Sequence, residues 1–208
     1  MIQIQKKQYH AGSVGDELLK LADICENPWN SRYMPKAFAA LQTDFKNEAL
    51  QVYLEATEPR TALRAEATMT NGRVWEDSCL EFFVNPVPEQ GLGYLNFEAN
   101  ARGVMLFGVH NDQFSGETTD FCEADFSMCA AHTFLPERMI RWTLSYRIPF
   151  SYFQRWFPTF EPKPGMRIAG NFYKCGDLCP QEHYLTWSPI AYPTPSFHRP
   201  ECFGEIIL

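Results

Sequence analysis

Two neighbouring stretches of the sequence carry aromatic, acidic, amide and basic side chains in an alternating order. Their polar members are Trp75, Glu81, Asn96, Asn100 and Arg102. The apolar C–H faces of a sugar ring stack on Trp or Tyr, and its rim of hydroxyls needs hydrogen-bond donors and acceptors. This mixture of side chains therefore indicates a candidate saccharide site.

The C-terminal third of the chain adds four residues of the same chemical types. They are Asn171, Tyr173, Tyr184 and Trp187. On alternation alone, a solvated sheet face with an incidental Trp fits equally well, because antiparallel sheets often face water on one side.

Residues 74–84 and 94–106 predict the two strands that must position these side chains, since both stretches alternate with a period of two. The apolar set is Leu80, Phe82, Val84, Leu95, Phe97, Ala99 and Ala101. The connection 85–93 has the composition of a hairpin loop. Paired antiparallel, the two strands would present one apolar face and one polar face.

Alternating or apolar runs predict further strands at 50–56, 140–148, 166–173, 183–187 and 203–208. Near-helical spacing predicts a short helix at 13–25 with Ser13 as its N-cap, and a helical turn at 151–157. Short strands with Pro and Gly turns are typical of an all-β fold. We expect one domain, residues 1–208, built as a two-sheet antiparallel β-sandwich of jelly-roll or immunoglobulin-like type with a short N-terminal helix.

Charge and hydropathy exclude several classes of partner. The net charge is −7 and the chain has no basic run, so a nucleic-acid partner is not expected. No stretch approaches the length of about 18 apolar residues that spans a membrane.

The N-terminus has no apolar signal-peptide core, which predicts a cytoplasmic protein, or a secreted or periplasmic one if a leader was removed. The sequence predicts no particular oligomeric state.

Three segments together resemble the carbohydrate-binding modules of family 9. Residues 75–84 (WEDSCLEFFV) resemble the family's acidic Asp-Ser strand that leads into Glu-Phe-Phe. Residues 94–103 (YLNFEANARG) resemble the next segment, and residues 185–190, 195–200 and 203–205 resemble the C-terminal signature. The likeness runs from about residue 48 to the end, with Trp142 and 148–150 fitting a middle strand.

The resemblance implies a non-catalytic domain that holds a terminal sugar between two aromatic rings. By context these match Trp75 and Trp187, while Glu81 and Arg102 match the family's polar contacts. Asn100, Asn171 and Tyr184 are secondary candidates. The family often binds the ends of cellulose- or xylan-type chains, sits in secreted xylanases and carries structural calcium. The predicted partner is therefore a saccharide used in polysaccharide catabolism, with no catalytic residue, no protein metal ligand assigned and calcium as the one cofactor that the resemblance allows.

A glycoside hydrolase is the first alternative, because paired carboxylates perform that chemistry. Asp77 and Glu81 lie about 13 Å apart along a strand at ~3.3 Å per residue, which is too far. A cross-strand pair such as Glu81 with Glu98 would be closer if the register allows.

Thiol and histidine chemistry gives weaker alternatives. Cys175 and Cys179 have a spacing found in zinc sites, with His183, His198 and Cys202 downstream, although a disulfide or free thiols fit as well. The seven cysteines, an odd number, favour reduced thiols. No nucleophile-elbow motif is present. A sandwich that binds a protein and no sugar is the remaining alternative.

Overall fold

The computed structural model describes residues 5–16, 18–118 and 121–208, which form fourteen strands and two short α-helices. The strands are β1 (Gln8–His10), β2 (Gly12–Ser13), β3 (Ala22–Asp23), β4 (Lys36–Asp44), β5 (Ala49–Pro59), β6 (Cys79–Asn85), β7 (Tyr94–Asn100), β8 (Met105–His110), β9 (Ser115–Glu117), β10 (Cys129–Phe134), β11 (Met139–Pro149), β12 (Arg167–Cys175), β13 (Tyr184–Thr186) and β14 (Gly204–Ile207). The helices are α1 (Glu123–Phe126) and α2 (Phe150–Trp156), and 3-10 turns lie at Val74–Glu76, Pro88–Gln90 and Pro200–Cys202.

The strands form two sheets that pack face to face. The larger sheet has the order β1-β14-β12-β6-β7-β8-β9, with β13 also paired to β12. The smaller has the order β10-β11-β5-β4-β2, with β3 paired to β4. Most pairs are antiparallel, but β1 lies parallel to β14 and β2 lies parallel to β4. The predicted two-sheet sandwich is confirmed, and both sheets are mixed.

The core lies between the sheets and follows from the alternation along their strands. Leu80, Phe82 and Val84 of β6 pack with Leu54 of β5 and Trp142 of β11, all of them buried. Burying a large apolar side chain contributes roughly 1.5–3 kcal/mol to stability. The opposite face of β6 and β7 is thereby left to the polar side chains, which point away from the smaller sheet.

Strands β5, β11, β12, β13 and β14 confirm the predicted segments to within a few residues. The hairpin over 85–93 is also confirmed, because β6 and β7 pair directly. The predicted segment 74–84 begins instead as a 3-10 turn at Val74–Glu76. The predicted strand 94–106 is two strands, because a turn at Gly103, whose φ is 82°, separates β7 from β8.

The predicted N-terminal helix over 13–25 is wrong for the residues that the structure describes there. These residues form β2, a turn and β3, and both strands pair with β4. Gly15 has a φ of 106°, which does not continue a right-handed helix. Leu18 and Leu21 are exposed, so the apolar spacing does not mark a core-facing stripe. Within the described residues, no helix is long and apolar enough to cross a membrane.

Candidate functional site

The polar face of β6 and β7 forms the floor of a cavity of about 360 Å³ on the outer side of the larger sheet. Glu81, Asn96 and Glu98 line this floor. Period-two alternation places them there, because their chain neighbours Leu80, Phe82 and Phe97 point into the inter-sheet core. The cavity volume lies in the range of small-molecule sites.

Two carboxyl groups lie side by side on this floor. Glu81 of β6 is directly opposite Glu98 of β7 in the antiparallel register, and they are 2% and 5% exposed. Burial raises the pKa of Glu81 well above its usual range, and the Cys175 thiol and Glu98 add to the effect. Burial also raises the pKa of Glu98 to about 7, although a hydrogen bond from Asn96 opposes the shift. Both carboxyl groups can therefore hydrogen-bond a ligand in the cavity, and the pKa of about 7 lets Glu98 hold a proton near neutral pH.

Asn96 contributes an acceptor that has no partner within the described protein. Its Nδ2 donates to Glu98 Oε1 over 2.8 Å, whereas its buried Oδ1 has no hydrogen-bond partner. Gly108 on β8 leaves the space for this amide, since a Cβ there would lie 2.2 Å from Asn96 Oδ1. An unsatisfied buried polar atom costs about 1–3 kcal/mol, so a ligand donor at this point would recover free energy.

Trp75 and Tyr184 line the cavity as partly exposed aromatic walls. The 3-10 turn that carries Trp75 is fixed to the segment that follows β12, because the Asp177 N–H donates to the Trp75 carbonyl over 3.2 Å. Tyr184 of β13 is paired with Cys175 of β12. Both walls are thus anchored at the same end of β12, beside the floor carboxyls.

The segment before the last strand covers the other side of the cavity. Phe197 stacks on Tyr173 with ring centroids 4.1 Å apart, and His198 Nδ1 lies 2.7 Å from the Tyr94 hydroxyl. Burial, followed by His198, lowers the pKa of His110 to about 4. Burial also lowers the pKa of His198. Both imidazoles are therefore neutral at pH 7.

Of the seven predicted site residues, three line this cavity: Trp75, Glu81 and Tyr184. Asn100 is fully buried and caps a turn, with Oδ1 accepting from the Arg102 and Val104 N–H groups. The Arg102 side chain is exposed and donates to the Ala65 carbonyl. The Asn171 side chain hydrogen-bonds the Ser188 backbone. Its Nδ2 donates to the Ser188 carbonyl, and its Oδ1 accepts from the Ser188 N–H. Asn100, Arg102 and Asn171 therefore make contacts that stabilise the fold, and they do not line the cavity.

Trp187, predicted as the second stacking ring, lies in the inter-sheet core. It is 4% exposed and contacts Tyr9 and Phe172 edge-on, with centroids 6.2 and 5.6 Å apart. Gly204 on β14 leaves room for the ring, since a Cβ there would lie 2.5 Å from Trp187 Cζ3. The prediction that Trp75 and Trp187 enclose a ligand together is corrected on this ground, because a ring sealed in the core cannot stack on a sugar.

Asn96, Glu98 and Asp177 also line the cavity. In the sequence Asn96 belonged to the candidate polar set and Glu98 appeared only as a possible hydrolase carboxyl, whereas Asp177 was not predicted. The alternation along 94–106 already placed Asn96 and Glu98 on the face of Glu81, so that signal was present in the sequence. Asp177 carried no such signal, because it follows the end of β12.

Among the described residues, the side chains of the alternative zinc site do not form a metal-ligand group. Cys175 Sγ donates to Glu81 Oε1 over 3.0 Å, Cys179 contacts Ser78, and His183 contacts Lys174. All seven cysteines are free. In the part of the chain that the structure describes, one group of three His, Cys, Asp or Glu side chains lies close enough together to hold a metal ion. It consists of Cys79, Glu81 and Cys175. That thiol-rich set does not fit calcium, which takes 6–8 oxygen ligands.

Comparisons with known proteins place the chain in a family of carbohydrate-binding modules. The family model described as carbohydrate-binding family 9 matches residues 16–208. A protein from Bacteroides uniformis that has been proposed to bind carbohydrate is similar in structure, with a TM-score of 0.81 and 26% identity, over 98% of this chain and 99% of that one. A family 9 module from Caldicellulosiruptor kristjanssonii, solved in complex with glucose, has a TM-score of 0.59 and 14% identity over 97% and 95% of the two chains, which shows a shared fold. A comparison with curated proteins finds no significant match.

Proposed function

This chain belongs to carbohydrate-binding family 9, and we propose that it binds a saccharide in the cavity that Trp75 and Tyr184 line. The observation that carries the proposal is the placement of these aromatic walls beside Glu81, Glu98 and the unpartnered Asn96 Oδ1. A sugar ring has the same two kinds of surface, apolar C–H faces and a polar rim. The glucose bound to the Caldicellulosiruptor module supports a sugar as the class of ligand.

The finer proposal is the end of a glucan- or xylan-type chain. A cavity of about 360 Å³ covered on one side by Phe197 and His198 suits one or two terminal units better than a long stretch of polymer. Each hydroxyl contact exchanges with water and contributes only about 0.5–1.5 kcal/mol, so we expect micromolar or weaker affinity.

Calorimetry with glucose, cellobiose and xylobiose tests this proposal. Trp75→Ala removes one stacking wall and should weaken binding at least about tenfold, the equivalent of ~1.4 kcal/mol. Trp156→Ala is the matched control, because Trp156 lines a different cavity. Unchanged affinity in Trp75→Ala, or equal loss in both variants, would contradict the assignment of the site.

Glycoside hydrolysis is a second candidate, favoured by the direct pairing of Glu81 with Glu98. Directly opposite residues have Cβ atoms about 4.5–5.5 Å apart, close enough for the paired carboxyls of a glycosidase. Asp77 is excluded from that role, since Arg64, Asn100 and two backbone N–H groups occupy it. Reducing-sugar release from xylan and glucan oligomers that is lost in Glu98→Gln would favour the enzyme, and no release would favour binding alone.

A further inference from the structure

The polar groups at the cavity floor offer a ligand mostly acceptors, because three donors beside them are already engaged. Asn96 Nδ2 donates to Glu98, and the Cys175 thiol donates to Glu81. The Tyr184 hydroxyl donates to Glu182 Oε1 over 2.8 Å. Oxygen atoms of Glu81, Glu98 and Asn96 therefore remain for a ligand.

The cavity also carries several carboxyl groups without a matching cation. Glu81, Glu98, Glu117 and Asp177 line it, and no Lys or Arg is among the described residues that do so. Arg73 lies over the Trp75 ring but pairs with Glu76, and Lys174 is turned into the inter-sheet core beside Glu58. Buried carboxylates need a partner charge or a proton, since an isolated buried charge is costly.

A protonated amine is the chemical complement of this floor. A sugar hydroxyl both donates and accepts, so an acceptor-rich site uses half of its hydrogen-bonding capacity. An ammonium group donates three hydrogen bonds, accepts none and carries the missing positive charge. Hydrogen bonds between charged partners are roughly twice as strong as those between neutral ones.

From this arrangement we propose that the preferred ligand is an amino sugar whose ammonium group contacts Glu81, Glu98 and Asn96 Oδ1. The inference rests on the proposed saccharide binding and adds the chemical class of the sugar. Sugars with a carboxylate, such as uronic acids, are disfavoured at the same site because they would meet Glu81 and Glu98 with a like charge.

Calorimetry at pH 7 with matched ligands tests the inference. Glucose is compared with 2-amino-2-deoxyglucose, 6-amino-6-deoxyglucose, N-acetylglucosamine and glucuronate. We expect at least one free amine to bind about tenfold tighter than glucose or better, N-acetylation to remove that gain, and glucuronate to bind most weakly. Glu98→Gln keeps the shape of the side chain without its charge, and should reduce the gain of the amine more than it reduces glucose binding.

The outcomes separate this inference from the proposed function. Glucose binding with no advantage for either amine would overturn the amino-sugar inference and leave saccharide binding standing. An amine advantage that persists unchanged in Glu98→Gln would also overturn it, because the floor carboxyl would then not be the partner. No binding of any sugar would overturn both proposals.

Discussion

Glu98 occupies a position where a carboxyl group is expensive to ionise. It is buried, lies opposite a second carboxyl and receives one hydrogen bond, from Asn96. Its pKa of about 7 exceeds the ordinary value of 4.5, because burial penalises the charged form. The folded protein therefore keeps this proton over a pH range in which the unfolded chain has lost it.

We predict that Glu98→Gln removes a pH-dependent loss of stability. The stability that Glu98 contributes is complete below pH 4.5, falls as the pH rises towards about 7 and is then level. The free energy of unfolding of Glu98→Gln minus that of the wild type should rise across this window by up to about 3 kcal/mol, at ~1.4 kcal/mol per pKa unit. Urea denaturation at pH 5 and pH 8 measures the difference.

The exposed Glu117 provides the control for this experiment. Glu117→Gln changes a carboxyl at the cavity rim that water still solvates, so its effect on unfolding should be small at both pH values. The assignment to Glu98 fails if the Glu98→Gln difference is the same at pH 5 and pH 8.

Single residues also show which features of the site could be predicted from the sequence. Alternation along 74–84 placed Glu81 on the polar face, because period two is a local property of a strand. Trp187 was misplaced, because the path of the chain after β13 and the gap at Gly204 that accepts its ring are tertiary features. Tyr184, a secondary candidate in sequence, lines the cavity together with Trp75, which the sequence predicted as a stacking ring.

The C-terminal strand β14 is an interior strand of the larger sheet. It pairs with β12 on one side and lies parallel to β1 on the other. Ile206 points into the inter-sheet core and is fully buried, while its neighbour Ile207 is partly exposed. Gly170 on β12 leaves space for the Ile206 side chain.

These neighbours give a matched pair of variants. We predict that Ile206→Ala lowers the free energy of unfolding by about 2–5 kcal/mol, because it leaves a cavity in the core. Ile207→Ala should cost much less, since part of that side chain already contacts water. Urea denaturation of both variants measures the contrast, and equal costs would contradict the register of β14.

Strands with clear alternation were predictable and pairing partners were not. Segment 140–148 alternates and segment 203–208 ends in an apolar run, so β11 and β14 could be predicted. The region 13–25 had apolar residues at helical spacing, yet the chain pairs there with β4, a long-range contact that no local pattern encodes. Strand β4 itself is rich in Ala, which is uncommon in strands, and was not predicted.

At the scale of the whole molecule, a buried polar network crosses the core and joins the two sheets. Glu58 of β5 belongs to the smaller sheet and Lys174 of β12 to the larger, and their charged groups lie 3.8 Å apart with neither exposed. Trp142 Nε1 donates to Glu58 over 2.6 Å, and Lys174 lies 2.7 Å from His183 Nε2. Fold class was predictable without this network, because hydrophobic alternation determines it. The pairing of two distant ions was not, since it depends on how the sheets are aligned.

We predict that Lys174→Met destabilises the protein by about 3–5 kcal/mol, because it leaves the Glu58 carboxylate in the core without its cation. Adding Glu58→Gln should recover part of this loss, since an amide can still accept from Trp142 without a charge. Arg167→Met is the surface control: its ion pair with Glu205 is solvated, so removal should cost at most about 1 kcal/mol. Urea denaturation of the single and double variants gives the coupling energy, and costs that simply add would mean that Glu58 and Lys174 do not act as a pair across the two sheets.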